Sequence, residues 1–519
     1  MHAVVRTIRT SLHQQGRSLD AGNPDRSLRS ATAEAYAVGV YLFGSCAHKR
    51  ILFLTHCEQG QSNVHLATAF EVQARALAGV EVHLASFAPL RKRFEKICED
   101  AIQPESGERL LPQFHTIHGI SHVEAARRGN KAGRHRPGFD TWTNLGFMIM
   151  PWTPEEYMTI VDSVAATIES VDPHLIIIDS LFGQAVDACE LLGRPYHILS
   201  PLLASIVCLQ NHTLAALRYP YPGTGLPYPL TWASKLLNVL HGAVMAYQVM
   251  RSTEVRAIIA ARARRGIPGA PPALEGMRVA PGRGDITPGV REVDLPFERP
   301  GNLHLCGPIT NDFRPLEESD PELAAWLDRA PTVLMIMGTH FGYGAPLVRR
   351  VLGGVGPDAQ ILWKVVSGED SESRDVFDEL LVSAHDRDRV RIVTWFDAEP
   401  AAIIEHENIV TYVHHGGANS YFECARAGKP HVVLPQWADT YYNAVTVEYA
   451  GLGVYGNKTC APDIDAKELS EALARVTSGE EGVKFRKRAR AAGLKCREAG
   501  GRKAAADIVL SLLAKKRVY

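Results

Sequence analysis

A chain of 519 residues has room for about two domains, and its 46% hydrophobic and 22% charged content is that of an ordinary soluble globular protein. Its net charge of −1 leaves no basic excess for a phosphate backbone, so no nucleic-acid partner is expected. Nine cysteines, odd in number and without a C-x-x-C pair, point to a reducing, cytoplasmic setting and against a zinc site.

Residues 1–48 are rich in Ser, Arg and Ala without sustained periodicity, and are expected to be a disordered extension. Their Arg/Ser bias suggests a transit peptide, but Asp20, Asp25 and Glu34 argue against one. The apolar run 35–47 is too short to span a bilayer, and no transmembrane segment is expected elsewhere.

The first strand is predicted at ILFLT (51–55), followed by the loop CEQGQSN, a helix from about Val64 to Ala78 and the strand VEVHLAS (80–86). Ala67, Phe70, Ala74 and Leu77 follow helical spacing and are predicted to face the sheet. The loop lies at the carboxyl edge of its strand, where open α/β sheets hold ligands. Residues 139–158 crowd Phe139, Trp142, Phe147, Met148, Met150, Trp152 and Tyr157 together, either as plain core or as an apolar acceptor pocket. A later strand, HLIIIDSLF (174–182), delivers Asp179 at its end, where on residue chemistry alone it reads as a helix N-cap. Residues 233–262 read as helical, and 264–300 form a Gly/Pro-rich excursion. The resulting layout is a first domain at 49–307, a linker at 308–325, a second domain at 326–490 and a helix at 491–519 returning to the first domain.

The second domain opens on TVLMIMG (332–338), and ILWKVV, RVRIVTW, NIVTYV and HVVLP supply further short buried strands. After NIVTYV, His415-Gly416-Gly417 make a tight turn that small residues permit. Asn419 or Ser420 can cap a helix there, Ser420 and Glu423 have capping-box spacing, and Ala427-Gly428 ends it. Such a helix start offers free N–H groups to an anion, although a glycine turn also serves packing alone.

The run His415-Gly416-Gly417-Ala418-Asn419-Ser420, then Glu423, then Asp439-Thr440-Tyr441-Tyr442-Asn443 resembles the donor-site signature of the UDP-dependent glycosyltransferases of family 1. The intervals, eight residues from His415 to Glu423 and 24 from His415 to Asp439, are those of that family. The resemblance implies a GT-B fold, two doubly wound Rossmann-like α/β domains facing a central cleft. It implies UDP-sugar as donor co-substrate, with no permanently bound cofactor and no metal. His415, Gly417 and the amides of Asn419 and Ser420 would then hold the diphosphate, Glu423 the ribose and Asp439 the sugar. Trp395 resembles the tryptophan that stacks on uracil, though it lies two residues further upstream than the family pattern. Gly338-Thr339 matches the family's G-S donor loop, and Thr440 stands where a Gln or His reads the sugar, leaving the sugar open.

In the first domain, Gln59-Gly60-Gln61-Ser62-Asn63-Val64 resembles the family's Q-G-H-x-N-P, with Gln61 in place of the catalytic histidine. Asp179 matches the aspartate that partners this histidine. The implied activity is transfer of a hexosyl group, with inversion, to a hydroxyl of a small lipophilic acceptor. The base is then Asp179 or a neighbour such as His56, Glu58 or His65. His65 also reads simply as a helix residue packed beside Ala69 and Val72. Because an amide has no accessible basic pKa, a catalytically silent sugar-nucleotide binder is the alternative. An oxidoreductase would call for G-x-G-x-x-G after a predicted strand and a serine hydrolase for G-x-S-x-G, and the chain has neither.

Overall fold

The structure, a computed structural model, describes residues 48–75, 79–101, 110–128, 133–269, 272, 278–338, 345–355, 360–365 and 388–514. The first sheet contains β1 (Lys49–Leu54), β2 (Val80–Phe87), β3 (Gln113–Ile117), β4 (Leu175–Asp179), β5 (His197–Leu199), β6 (Asp285–Thr287) and β7 (Leu303–Leu305). The second contains β8 (Thr332–Ile336), β9 (Gln360–Lys364), β10 (Val390–Val393), β11 (Ile409–His414), β12 (His431–Val433) and β13 (Gly453–Tyr455). All pairings are parallel. That fits runs such as LIIID and TVLMI, which are largely apolar and buried throughout because helices cover both faces.

The strand orders are β3-β2-β1-β4-β5-β6-β7 and β10-β9-β8-β11-β12-β13. Each order reverses once, between β1 and β4 and between β8 and β11, and the crevice at such a switch point is where ligands sit. Register brings the ends level: Leu54 pairs with both Ala85 and Ile178, and His414 with Ile336 and Val433.

The helices that matter for the site are α1 (Gln59–Arg75), α2 (Pro154–Val171), α3 (Gly183–Leu191), α4 (Trp232–Arg251), α5 (Ala418–Ala427), α6 (Ala438–Ala450), α7 (Gly479–Glu498) and α8 (Arg502–Ala514). The first of them begins five residues earlier than the periodicity predicts. The Glu58 carbonyl accepts from the amides of Gln61 and Ser62 (3.0 and 2.9 Å), so the loop's glycine falls inside the first turn. Its buried face also differs from the predicted stripe: Ala67 is buried, Phe70 half-buried and Ala74 exposed, while Leu77 lies outside the described residues. The cause is a second cover, because Ala505, Ala506 and Val509 of α8 join Val64, Leu66, Ala69 and Val72 in one core with Ile51 and Phe53.

Of the aromatic and methionine crowd, Trp142, Met150, Trp152 and Tyr157 are buried, whereas Phe139 is exposed. A further core joins the two sheets' layers: Leu202–Leu209, Val293 and Leu295 pack with Tyr421, Tyr442, Val447 and Leu452. Polar contacts pin it. The Tyr442 hydroxyl donates to Ser205 Oγ (2.9 Å), and Ser205 donates to Asp294 through its amide (3.1 Å) and hydroxyl (2.5 Å).

Candidate active site

On the first sheet, β1 runs into Thr55 and His56 while β4 ends on Asp179. The Asp179 carboxylate, 0% exposed, accepts from the Leu181 amide (3.0 Å), the Thr55 hydroxyl (3.3 Å) and the His56 amide (3.5 Å). Burial lifts its pKa to about 7, with those donors pulling the other way. Asp179 is not the cap of α3, whose N-cap is Phe182 without a side-chain bond; it closes the turn at Leu181 instead.

Beside it, His56 lies among Phe87, Trp152 and Phe182, with Nε2 3.3 Å from the Leu181 carbonyl oxygen. Burial lowers the His56 pKa to about 4, so the ring is neutral. Glu58 accepts from the Val123 amide (3.0 Å) and has Oε2 3.9 Å from His56 Nδ1. Burial raises this carboxyl, but His56, His122 and the Val123 amide outweigh it, and the net shift is downward.

Gln61 is half-buried in the first turn of α1. His65, one turn on, is fully buried with Nε2 3.1 Å from the Leu199 carbonyl oxygen of β5 and its edge against Phe53. Burial lowers its pKa to about 3. The expectation that His65 reaches the cleft as a base is therefore corrected: its Nε2–H ties α1 to the sheet.

On the second sheet, β11 ends at His414 and α5 starts at Ala418 with Gly417 as N-cap and no side-chain cap. The predicted Asn419 or Ser420 cap, and the Ser420–Glu423 capping box, do not form. The Asn419 amide instead donates across the cleft to the Gln59 carbonyl (2.8 Å), and Ser420 Oγ accepts from the Tyr412 hydroxyl (3.0 Å). The first turns of α1 and α5 thus meet, and the N–H groups at the start of α5 lack a side-chain partner of the usual kind.

The His415 ring is wedged between glycines. A Cβ on Gly338, which has φ +87°, would lie 3.0 Å from its Cε1, and one on Gly417 would overlap it. The ring also faces Trp437 (5.1 Å between centroids). Thr339, next to Gly338, lies outside the described residues.

Further along α5, Glu423 stands near Glu399, Lys364 and Arg93 of the first sheet's layer. Burial and Glu399 push its carboxyl up to about 8 against the pull of Arg93 and Lys364. Lys364 ends β9 and lies 3.7 Å from the centroid of the Trp395 ring, which is 57% exposed. One face of that indole is thus occupied by an ammonium group, and a stacked base needs the other face or displaces it.

Asp439, in the first turn of α6, is raised to about 6 by burial, opposed by its own amide and that of Thr440. Thr440 is fully buried. Its hydroxyl donates to the Trp437 carbonyl and accepts from the amides of Gln436 and Trp437 (3.1 Å each). This corrects the expectation that position 440 meets the sugar, because the hydroxyl has no capacity left. Thr440→Val is expected to cost about 1–3 kcal/mol of stability by stranding those groups, with donor-sugar preference unchanged. Urea unfolding and competition between UDP-sugars measure the two effects separately.

Two residues that no local pattern marked also reach this site. Arg93 donates to the Asn63 side chain and carries first-domain charge to Glu423. His135 donates its amide to the Gln436 carbonyl (3.1 Å), and its Nε2 accepts from the Ala438 amide (3.0 Å). Among the described residues, no group of three or more His, Cys, Asp or Glu side chains is placed to hold a metal ion.

Comparison with known proteins places this arrangement. Residues 382–495 match the family model described as Erythromycin biosynthesis protein CIII-like, C-terminal domain. Glycosyltransferase sdnJ of Sordaria araneosa is 34% identical over 514 residues, covering 90% of this chain and 99% of that protein. UDP-glycosyltransferase stmC of Aspergillus ustus is 26% identical over 210 residues, 37% of this chain and 38% of that protein. The glycotransferase of kitacinnamycin superposes with a TM-score of 0.58 at 16% identity, over 89% of this chain and 98% of that one. Phytolacca americana UGT2, solved with UDP-2fluoro-glucose and pterostilbene, gives 0.57 at 14% identity, over 90% and 99%. These relatives lend no support to a catalytically silent binder. The chain has the GT-B fold and belongs to the family-1 UDP-dependent glycosyltransferases.

Proposed function

We propose that the protein transfers a hexosyl group from a UDP-sugar to a hydroxyl of a small lipophilic acceptor, with inversion at the anomeric carbon. The observation that carries this reading is the meeting of α1 and α5 at the Asn419–Gln59 bond, beside the glycine-wedged His415. The start of α5 favours negative charge, so the diphosphate belongs there, with His415, Gly417 and the amides of Asn419 and Ser420 around it. Glu423 takes the ribose, Trp395 the uracil, Gly338 and Thr339 the donor loop, and Asp439 the sugar hydroxyls. The first domain (49–307) holds the acceptor, 308–325 links it to the donor domain (326–490), and 491–519 returns to it.

The acceptor's proton ends on Asp179, whose pKa near neutrality suits a base. Asp179 already accepts from the Thr55 hydroxyl, which is buried with it. Gln61, at the mouth of α1, orients the acceptor by hydrogen bonding rather than by proton transfer.

The test is mass-spectrometric product detection with several UDP-sugars against a panel of lipophilic phenols and alcohols, with the anomeric coupling constant of the product read by NMR. Transfer with inverted configuration is expected. UDP binding without transfer to any acceptor would overturn the enzymatic reading, and retained configuration would overturn the one-step displacement.

A further inference from the structure

The 20-residue helix α4 is attached to the protein inside out. Its buried residues are the polar Asn238 and His241. The Asn238 side chain accepts from the Tyr221 amide (2.9 Å) and donates to the carbonyls of Ala216 (2.8 Å) and Tyr219 (2.7 Å), while His241 Nδ1 accepts from the Trp142 indole (2.9 Å). Solvent receives the apolar side instead: Trp232, Leu236, Val239, Leu240, Tyr247 and Met250 are exposed, Trp232 by 82%, Leu236 by 74% and Met250 by 67%. At about 100° per residue these positions form one stripe along the helix, opposite Asn238 and His241.

The charges on α4 are arranged around that stripe. It carries Lys235 and Arg251 and no acidic residue. At the same angular spacing these two fall on opposite borders of the stripe, near its two ends. Each cation sits on an aromatic ring of the stripe: Lys235 Nζ is 4.4 Å from the Trp232 ring centroid, and the Arg251 guanidinium is 5.3 Å from that of Tyr247. Trp and Tyr belong at a membrane–water boundary, and Lys and Arg can bury their stems there while the charge stays at headgroup level.

We infer that α4 lies in the plane of an anionic lipid bilayer surface, stripe downward, and holds the enzyme there as a peripheral protein. The basic borders select the occupant. A negatively charged headgroup layer complements them, whereas pairing α4 with a second copy of itself gathers four cations with no acid on either helix to offset them. The anchorage is in-plane: no helix among the described residues is long and apolar enough to cross a membrane.

The test uses the full chain and sedimentation with sucrose-loaded vesicles, either pure phosphatidylcholine or phosphatidylcholine with about 30% phosphatidylserine. The wild type is expected to pellet with the anionic vesicles. Trp232→Ser/Leu236→Ser/Leu240→Ser should lower the partition coefficient about tenfold or more. These side chains point to solvent, so the variant should keep the wild-type melting curve. Lys235→Glu/Arg251→Glu should lose anionic-vesicle binding while the stripe remains. Three results would overturn the inference. In the first, the wild type stays in the supernatant with both vesicle types. In the second, both variants bind as the wild type does. In the third, light scattering finds a wild-type dimer, vesicle-free, that the triple variant turns into monomer.

Discussion

Asp179→Asn is expected to turn over at least about 100-fold more slowly than the wild type, the range for loss of a general base. The substitution isolates charge from shape. The amide copies the protonated carboxyl: its nitrogen can donate to Thr55, whose hydroxyl already lies 3.2 Å from the His56 carbonyl oxygen as an alternative acceptor. The wild-type rate should therefore rise with pH through about 7 as Asp179 ionises, and the Asn variant should lose that limb. Stability should move the other way. A buried carboxyl whose pKa rises from 3.8 to about 7 on folding contributes stability below about pH 4 that is lost as pH climbs to 7. The wild type should therefore weaken relative to the variant across that window in urea titrations. Full activity in Asp179→Asn, with Glu58→Gln inactive, would move the base to Glu58. His65→Ala should cost less than about tenfold in kcat, since that ring is committed to Leu199.

The other large effect is expected at His415. His415→Ala should weaken UDP binding by about 1.5–3 kcal/mol, the range for a hydrogen bond to a charged group, which is roughly 10- to 150-fold in Kd. The ring is also a packing element between Gly338 and Gly417, so the variant leaves a gap between them. Calorimetry with UDP reads the affinity, and a urea midpoint taken alongside shows whether the loop or the whole fold has suffered. Unchanged affinity in a folded variant would remove the diphosphate from this turn.

The strand–turn–helix unit of the second sheet was readable in the sequence because its parts are local. Strand, glycine turn and helix follow one another from Ile409 to Ala427, and Gly428 closes the helix as its sequence marks, although the cap read at its start does not form. What could not be read was settled by partners far away in the chain. The early start of α1 depends on Glu58, which Val123 fixes from 65 positions off. The buried face of α1 is wider than a two-layer reading gives, because α8 packs on it from the far end of the chain. Arg93 and His135 have no motif around them, and only the approach of the two sheets brings them to Glu423 and Ala438. Thr440 looked like a specificity position from its place in a motif, yet hydrogen bonds within its own turn consume it.

The core shared between the two sheets bears on how the enzyme can be recombined. Grafting the acceptor half of one such transferase onto the donor half of another is an obvious route to new glycosides, and the linker is the tempting place to cut. In this protein that cut separates Tyr442 from Ser205, and Tyr421 from the Val293 carbonyl that its hydroxyl meets. A foreign acceptor half would have to fill the same positions or leave buried hydroxyls without partners, at about 1–3 kcal/mol each. Chimeras should therefore tolerate exchange of 59–75 and 139–158 more readily than exchange of 202–209 and 290–297. These latter two stretches form a docking key that must travel with the second sheet's layer, which it fits.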